Sequence, residues 1–256
     1  MKKITIILAA LAGIAALPAL APAQQTVSSY SVTTDFSYTS QYVIRGIQRV
    51  RGDAFTPSVE GSIGNSVSSG YLGFWTMQPV TRYQGNSQNN EIDIYAGYKQ
   101  KLASALSAEV VGTYYWYPEA GANDPWGKKT YELGARLTYA SCGITASASG
   151  YYDFRLQATT GVGLVGYSYP IAKLGTSIDV DAYIGTVGGK NWTPDASGAK
   201  IRESYNYYGA DINIPYHISE NATISAGLHY ASNQNTPDVF STGNKLWFTL
   251  GVTTRF

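Results

Sequence analysis

Few residues in this 256-residue chain have the type and spacing to do chemistry. It carries two histidines, His217 and His229, and one cysteine, Cys142. A hydrolytic site would need one of those imidazoles as a base within hydrogen-bond reach of a nucleophile. His217 falls in a short turn. His229 lies on the same strand pattern as Ser225, but residues four apart on a strand are separated by about 13 Å, so a partner would have to come from a neighbouring strand. No cysteine–histidine cluster has zinc-ligand spacing, and a lone cysteine excludes an intrachain disulfide framework. The glycine-rich stretches 161–166 and 185–189 sit in strand context, where glycine marks crowding or bending rather than phosphate binding. Asp195 and Glu203 are loop carboxylates with calcium binding and simple solvation as alternatives. The expectation is no catalytic residue, no metal and no cofactor.

The remaining charges are more informative. Asp35, Glu60, Asp93, Glu109, Glu132, Asp179, Asp181 and Asp211, together with Arg45, Lys99, Arg136 and His229, fall opposite the apolar residues of their segments. Charges sorted in this way suit the lining of a polar passage. An acidic excess along such a passage favours small cations and neutral polar solutes over anions.

The elements that carry these residues show a period of two. Tyr30, Val32, Thr34, Phe36, Tyr38, Tyr42 and Ile44 share one parity; Asp35, Ser37, Thr39, Gln41 and Arg45 share the other. Similar alternation recurs at 91–99, 131–139, 177–184, 207–214 and 223–230. A soluble sandwich also alternates. Here, however, the polar parity is rich in Gly, Ser and Thr rather than Lys and Glu. Tyrosines and tryptophans also cluster near strand ends (Tyr114 to Tyr117; Tyr205, Tyr207, Tyr208), as interfacial girdles would. With 27 glycines, 22 tyrosines and 14% charged residues, the composition favours strands and tight turns over helices.

These patterns predict an all-β protein, a transmembrane antiparallel up-and-down β-barrel of about twelve strands, with ten to fourteen as the range. The strands are placed at roughly 29–46, 54–66, 70–78, 90–101, 106–117, 129–141, 143–153, 157–170, 174–187, 203–216, 221–232 and 245–256. Connections alternate between short turns and mostly longer loops, and an even strand count puts both termini on the periplasmic side of an outer membrane.

The ends of the chain point the same way. Lys2 and Lys3, the apolar run from Ile4 to Leu20, and Ala21-Pro22-Ala23 form a secretory signal cleaved before Gln24. Residues 24–256 are then a single barrel domain. At the other end, Leu246, Phe248, Leu250 and Val252 alternate down to Phe256. Phe248, Leu250, Val252 and Phe256 resemble the C-terminal signal read by the barrel-assembly machinery, with Thr254 where that signal often has an aromatic.

Five segments follow one another in order: Ser40-Gln41-Tyr42-Val43-Ile44-Arg45-Gly46-Ile47, Ser69-Gly70-Tyr71-Leu72-Gly73-Phe74-Trp75, Asn90-Glu91-Ile92-Asp93-Ile94-Tyr95-Ala96-Gly97-Tyr98, Tyr114-Tyr115-Trp116-Tyr117-Pro118 and Thr130-Tyr131-Glu132-Leu133. Together they resemble the TorF-type porin family of Gram-negative outer membranes. The resemblance covers roughly residues 30–170, and Gln41 departs from it where the family more often carries an acid. It implies a barrel first and a pore second.

The function expected is passive diffusion of small polar solutes or cations through the lumen, without catalysis. A largely closed scaffold acting through its loops as an adhesin or receptor is the alternative, followed by an outer-membrane hydrolase. The partners expected are outer-membrane lipid and lipopolysaccharide, the assembly machinery during biogenesis, and small solutes or ions. A net charge of +1 gives no reason to expect nucleic acid.

Overall fold

The computed structural model describes residues 29–80, 90–120, 128–189, 204–234 and 243–256. The segment 1–23 expected to be an export signal, most of the long loops, and Asp195 and Glu203 lie outside these residues.

Alternating residues form fourteen strands among the described residues. They are β1 (Ser29–Thr39), β2 (Tyr42–Ile44), β3 (Ile47–Val50), β4 (Ala54–Gly64), β5 (Ser68–Pro79), β6 (Glu91–Lys101) and β7 (Leu106–Trp116). Then follow β8 (Lys129–Ser141), β9 (Ile144–Asp153), β10 (Ala158–Ile171), β11 (Thr176–Gly188), β12 (Ser204–Ser219), β13 (Ala222–Gln234) and β14 (Lys245–Arg255). Twelve of them make one closed antiparallel sheet in which β1 pairs with both β4 and β14. Closure leaves no unpaired strand edge, the condition for crossing a bilayer with strands. Val32 and Phe256 exchange two backbone hydrogen bonds of 2.9 Å, which extends the closing seam to the last residue.

The apolar parity forms the outer surface. Phe36, Val59, Leu72, Ile94, Leu137, Val165, Ile184, Leu228 and Leu250 are all exposed there. An apolar surface running around a whole protein calls for an apolar solvent.

The polar parity faces inward, and its glycines have a specific use. Gly73, Gly97, Gly134, Gly185 and Gly209 each stand directly across a strand pair from a tyrosine: Tyr95, Tyr71, Tyr151, Tyr207 and Tyr183 respectively. A Cβ added to any of these glycines would run into that tyrosine ring. The rings therefore lie flat on the inner wall, each seated on a bare stretch of backbone. Outward-facing Gly61, Gly112, Gly150 and Gly163 have nothing within 4 Å of such a Cβ. The glycine-rich polar parity is thus the seating for inward tyrosines, and it keeps five large side chains from projecting into the lumen.

Two sequence expectations are corrected by the fold. First, the strand expected over 29–46 stops at Thr39. The next residues turn inward as the β2–β3 hairpin, a separate two-stranded sheet. Tyr42 and Ile44, grouped with the lipid-facing parity, are inside; Tyr42 packs on Trp75 with ring centroids 5.6 Å apart. Alternation alone does not tell a strand that continues along the wall from one that folds back into the lumen. Second, the aromatic clusters read as girdles are split. Tyr205 and Tyr207 are buried inside, and Tyr115 and Tyr117 border an inner cavity. Trp116 and Tyr208 remain outward and exposed.

Candidate functional site: a lumen bridged by a hairpin

The β2–β3 hairpin is built on a two-residue turn. Ile44 pairs with Ile47, and Arg45 (φ 51°) and Gly46 (φ 74°) both occupy the left-handed region, as a type I′ turn requires. Gly46 is needed twice over. A Cβ there would sit 2.6 Å from Tyr207 Cβ and 3.1 Å from the Ser232 carbonyl oxygen. Arg45 holds a conformation that costs a non-glycine residue about 1–3 kcal/mol, and its partner offsets that cost. Its Nη2 donates to both carboxylate oxygens of Glu132 on β8, at 2.7 and 2.8 Å. The Arg45 guanidinium also lies 5.5 Å over the Tyr151 ring, and the Tyr115 hydroxyl donates to Glu132 at 3.1 Å.

This turn reaches the far wall. β9 is diametrically opposite β1 in the closed sheet, and Arg45 contacts β8 and β9. Further contacts fix the hairpin along its length. Asn233 Nδ2 donates to the Gly46 carbonyl at 2.7 Å. Ile47 joins Ala158, Val187, Tyr205 and Tyr207 in one buried cluster, and Val50 joins Ala54 and Met77 in another. Gln41 takes a hydrogen bond from Gln48 and donates to the Leu246 carbonyl at 2.7 Å. Arg49 lies 5.6 Å over the Tyr117 ring. The first connection is therefore a packed bridge across the lumen.

Two cavities flank it. Toward the long-loop end, a cavity of about 100 Å³ is lined by Arg49, Glu91, Tyr117 and Asp153 among others. Toward the short-turn end lies a chamber of about 640 Å³, lined by Arg136, Ser147, Ser149, Asp179, Asp181 and Tyr207 among others. Arg45 lines both. Asp93, near Glu91 and Glu132, keeps one buried carboxylate oxygen without a hydrogen-bond partner among the described residues.

The structure gathers the sequence-selected charges into distinct groups. Arg45 and Glu132 form the bridge pair. Glu109 on β7 lies 3.5 Å from Lys99 and 3.7 Å from Arg136 and accepts the Tyr71 hydroxyl at 2.7 Å. Arg136 also reaches Tyr151 at 3.0 Å. Glu60 lies near Tyr95. Across the barrel, Asp179 accepts Ser168 and Ser177 at 2.6 and 2.8 Å, and Asp181 covers bare Gly166. Asp211 holds His229 at 2.8 Å. Asp35 accepts Ser37 and Thr253 at 2.6 and 2.7 Å. The wall of β6–β8 is thus mixed in sign, while that of β11–β12 is acidic.

Sequence reasoning missed one constellation because its members sit on three strands. His229 Nδ1 meets Asp211, its Nε2 meets Thr249 Oγ1 at 2.9 Å, and its ring stacks on Trp247. The Asp–His–hydroxyl order resembles a nucleophilic triad. The strands that carry it are paired in a regular ladder around it. Among the described residues, no group of three or more His, Cys, Asp or Glu side chains is placed to hold a metal ion.

A closed twelve-stranded barrel with an apolar exterior and a charged interior defines a porin-like outer-membrane barrel. Residues 23–154 match the family described as "Bacterial protein of unknown function (Gcw_chp)", and the chain belongs to that family. Among curated proteins, none matches the sequence. Three solved structures share the fold at low identity. The KdgM porin aligns with TM-score 0.54 and 11% identity over 88% of this chain and 99% of its own. The COG4313 outer membrane channel from Pseudomonas putida F1 aligns with TM-score 0.54 and 11% identity over 93% and 100%. The NanC porin aligns with TM-score 0.51 and 12% identity over 87% and 98%.

Proposed function

We propose that the protein is a passive outer-membrane channel for small polar solutes, with a preference for cations. The observation that carries this reading is the charged chamber of about 640 Å³ beneath the hairpin, lined by Asp179 and Asp181 on β11 and by Arg45 and Arg136, whose charges are already met by Glu132 and Glu109. The acidic wall would attract cations, and the serines and threonines around it would replace part of a solute's hydration. The TorF-type resemblance over residues 30–170 supports the same reading. So do the words porin and channel attached to the three structural relatives.

In this reading residues 1–23 are removed on export, the short-turn end and both termini face the periplasm, and the long loops face outward. The lipid and lipopolysaccharide of the bilayer contact the apolar belt, and the strand ending in Phe248, Leu250, Val252 and Phe256 is handed to the assembly machinery.

The hairpin supports a second reading. A bridge packed from β1 to the opposite wall would also suit a closed scaffold that works through its loops. Planar-bilayer recording of the refolded chain in a KCl gradient separates the two. Stable cation-selective steps are expected of the channel; a folded, heat-modifiable barrel that gives none overturns it in favour of the scaffold.

A further inference from the structure

Arg45 borders both cavities and Glu132 the smaller one, so the pair stands between them, at what would be the neck of a passage through both. The partners are unequal. Glu132 rises from a wall strand, its side chain is 5% exposed, and Tyr115 holds it as well. Arg45 is 26% exposed, sits on a two-residue turn, and has a long side chain with the chamber beside it. Opening the neck means separating the pair, and Arg45 is the partner able to move.

We propose that Arg45 and Glu132 form the selectivity filter of the barrel, and that the solutes it passes are small cations of the ammonium and guanidinium class, which take the place of Arg45 at Glu132 as they cross. The inference rests on the channel reading. A buried carboxylate left without its cation is strongly destabilised. When Arg45 swings into the chamber, a passing cation with N–H donors restores both the charge and the hydrogen bonds that Glu132 has lost. An anion would have to displace Glu132 instead, and the wall strand together with Tyr115 holds that side chain in place. The permeant solute therefore carries the sign of the movable partner.

The test compares the full chain with Arg45→Gln and Glu132→Gln in planar bilayers, using KCl and guanidinium chloride gradients, with heat-modifiability as the check on folding. Arg45→Gln removes the internal competitor and should raise the cation-to-anion permeability ratio about tenfold, equivalent to ~1.4 kcal/mol, with a larger guanidinium current. Glu132→Gln should lower the ratio and abolish the guanidinium preference. A silent native chain that conducts guanidinium once Arg45 is replaced also supports the filter, since the pair then closes the neck. A conducting native chain whose ratio changes in neither variant overturns the filter and leaves the channel standing. Silence in all three overturns the channel and the filter with it. If Glu132→Gln does not fold, the sign of the change in Arg45→Gln decides alone.

Discussion

The two ends of the lumen use the same residue types differently. At the long-loop end, charges are buried beside the hairpin: Glu132 is held by Arg45 and by Tyr115 of the wall, and Glu91 lies buried near Tyr42, Tyr117 and Arg49. Toward the short-turn end, Asp179 rests on two hydroxyls and Asp211 on His229, and Asp179 and Asp181 border an open chamber. Polar groups in the first region fix a structure; in the second Asp179 and Asp181 are left facing the chamber. Charge in a barrel interior therefore has no single meaning. Where a second layer of chain packs against the wall, the charges act as fasteners, and where none does they set the electrostatics of whatever fills the lumen.

The largest effect should come from unfastening the bridge. Gly46→Val forces a β-branched residue into the left-handed region and drives it into Tyr207 and the Ser232 carbonyl. The backbone and overpacking costs together amount to roughly 2–6 kcal/mol. The barrel wall does not depend on this turn, so the variant should still fold and remain heat-modifiable, while the hairpin leaves its seat. Limited proteolysis between residues 40 and 53 would show the released segment, and conductance should rise. A variant as protease-resistant and as poorly conducting as the native chain would mean that the bridge is not held by its tip.

The next effect separates the inner from the outer wall. Gly97→Ala would press on the Tyr71 ring and on the Val110 carbonyl, unseating a tyrosine that also holds Glu109. The expected loss is about 1–3 kcal/mol in equilibrium unfolding by denaturant. Gly61→Ala, outward and without neighbours, should change stability by no more than a few tenths of a kcal/mol. Equal effects at the two positions would sink the seating argument.

Much of this architecture is legible in the sequence because the physics is local. Alternation of apolar and polar residues fixes which way each side chain of a wall strand faces, and a barrel must keep charge off the lipid face. Parity alone sets Asp179, Asp181, Asp211 and Glu132 apart from Ile178, Val180, Ile212 and Leu133 in the sequence. The hairpin was not legible for the same reason. Tyr42, Ile44 and Arg45 continue the alternation of β1, and what sends them inward is a pair of left-handed residues at 45 and 46 together with partners some 90 to 190 positions away, such as Glu132 and Asn233. The motif Arg45-Gly46 was visible as part of a family resemblance, but its role as an inward turn depends on contacts that no spacing encodes. The Asp211–His229–Thr249 chain escaped notice likewise, because each member comes from a different strand and only the register brings them together.

The smallest effect tests the open end of the comparison. Asp179 and Asp181 face the chamber without a basic group within ion-pair distance among the described residues, so removing one charge breaks no fastening. Asp181→Asn should leave unfolding in denaturant unchanged within about 0.5 kcal/mol. It should also lower the cation-to-anion permeability ratio by roughly threefold, about half the free energy of a tenfold change. High salt should erase the difference, because exposed charges are screened beyond a Debye length of about 3 Å at 1 M. The bridge pair behaves oppositely: buried and in contact, Arg45 and Glu132 should keep most of their influence on selectivity in the same salt. Finding equal salt sensitivity at both places would mean that the neck is as wet as the chamber, and that the two ends of this lumen differ in shape rather than in electrostatics.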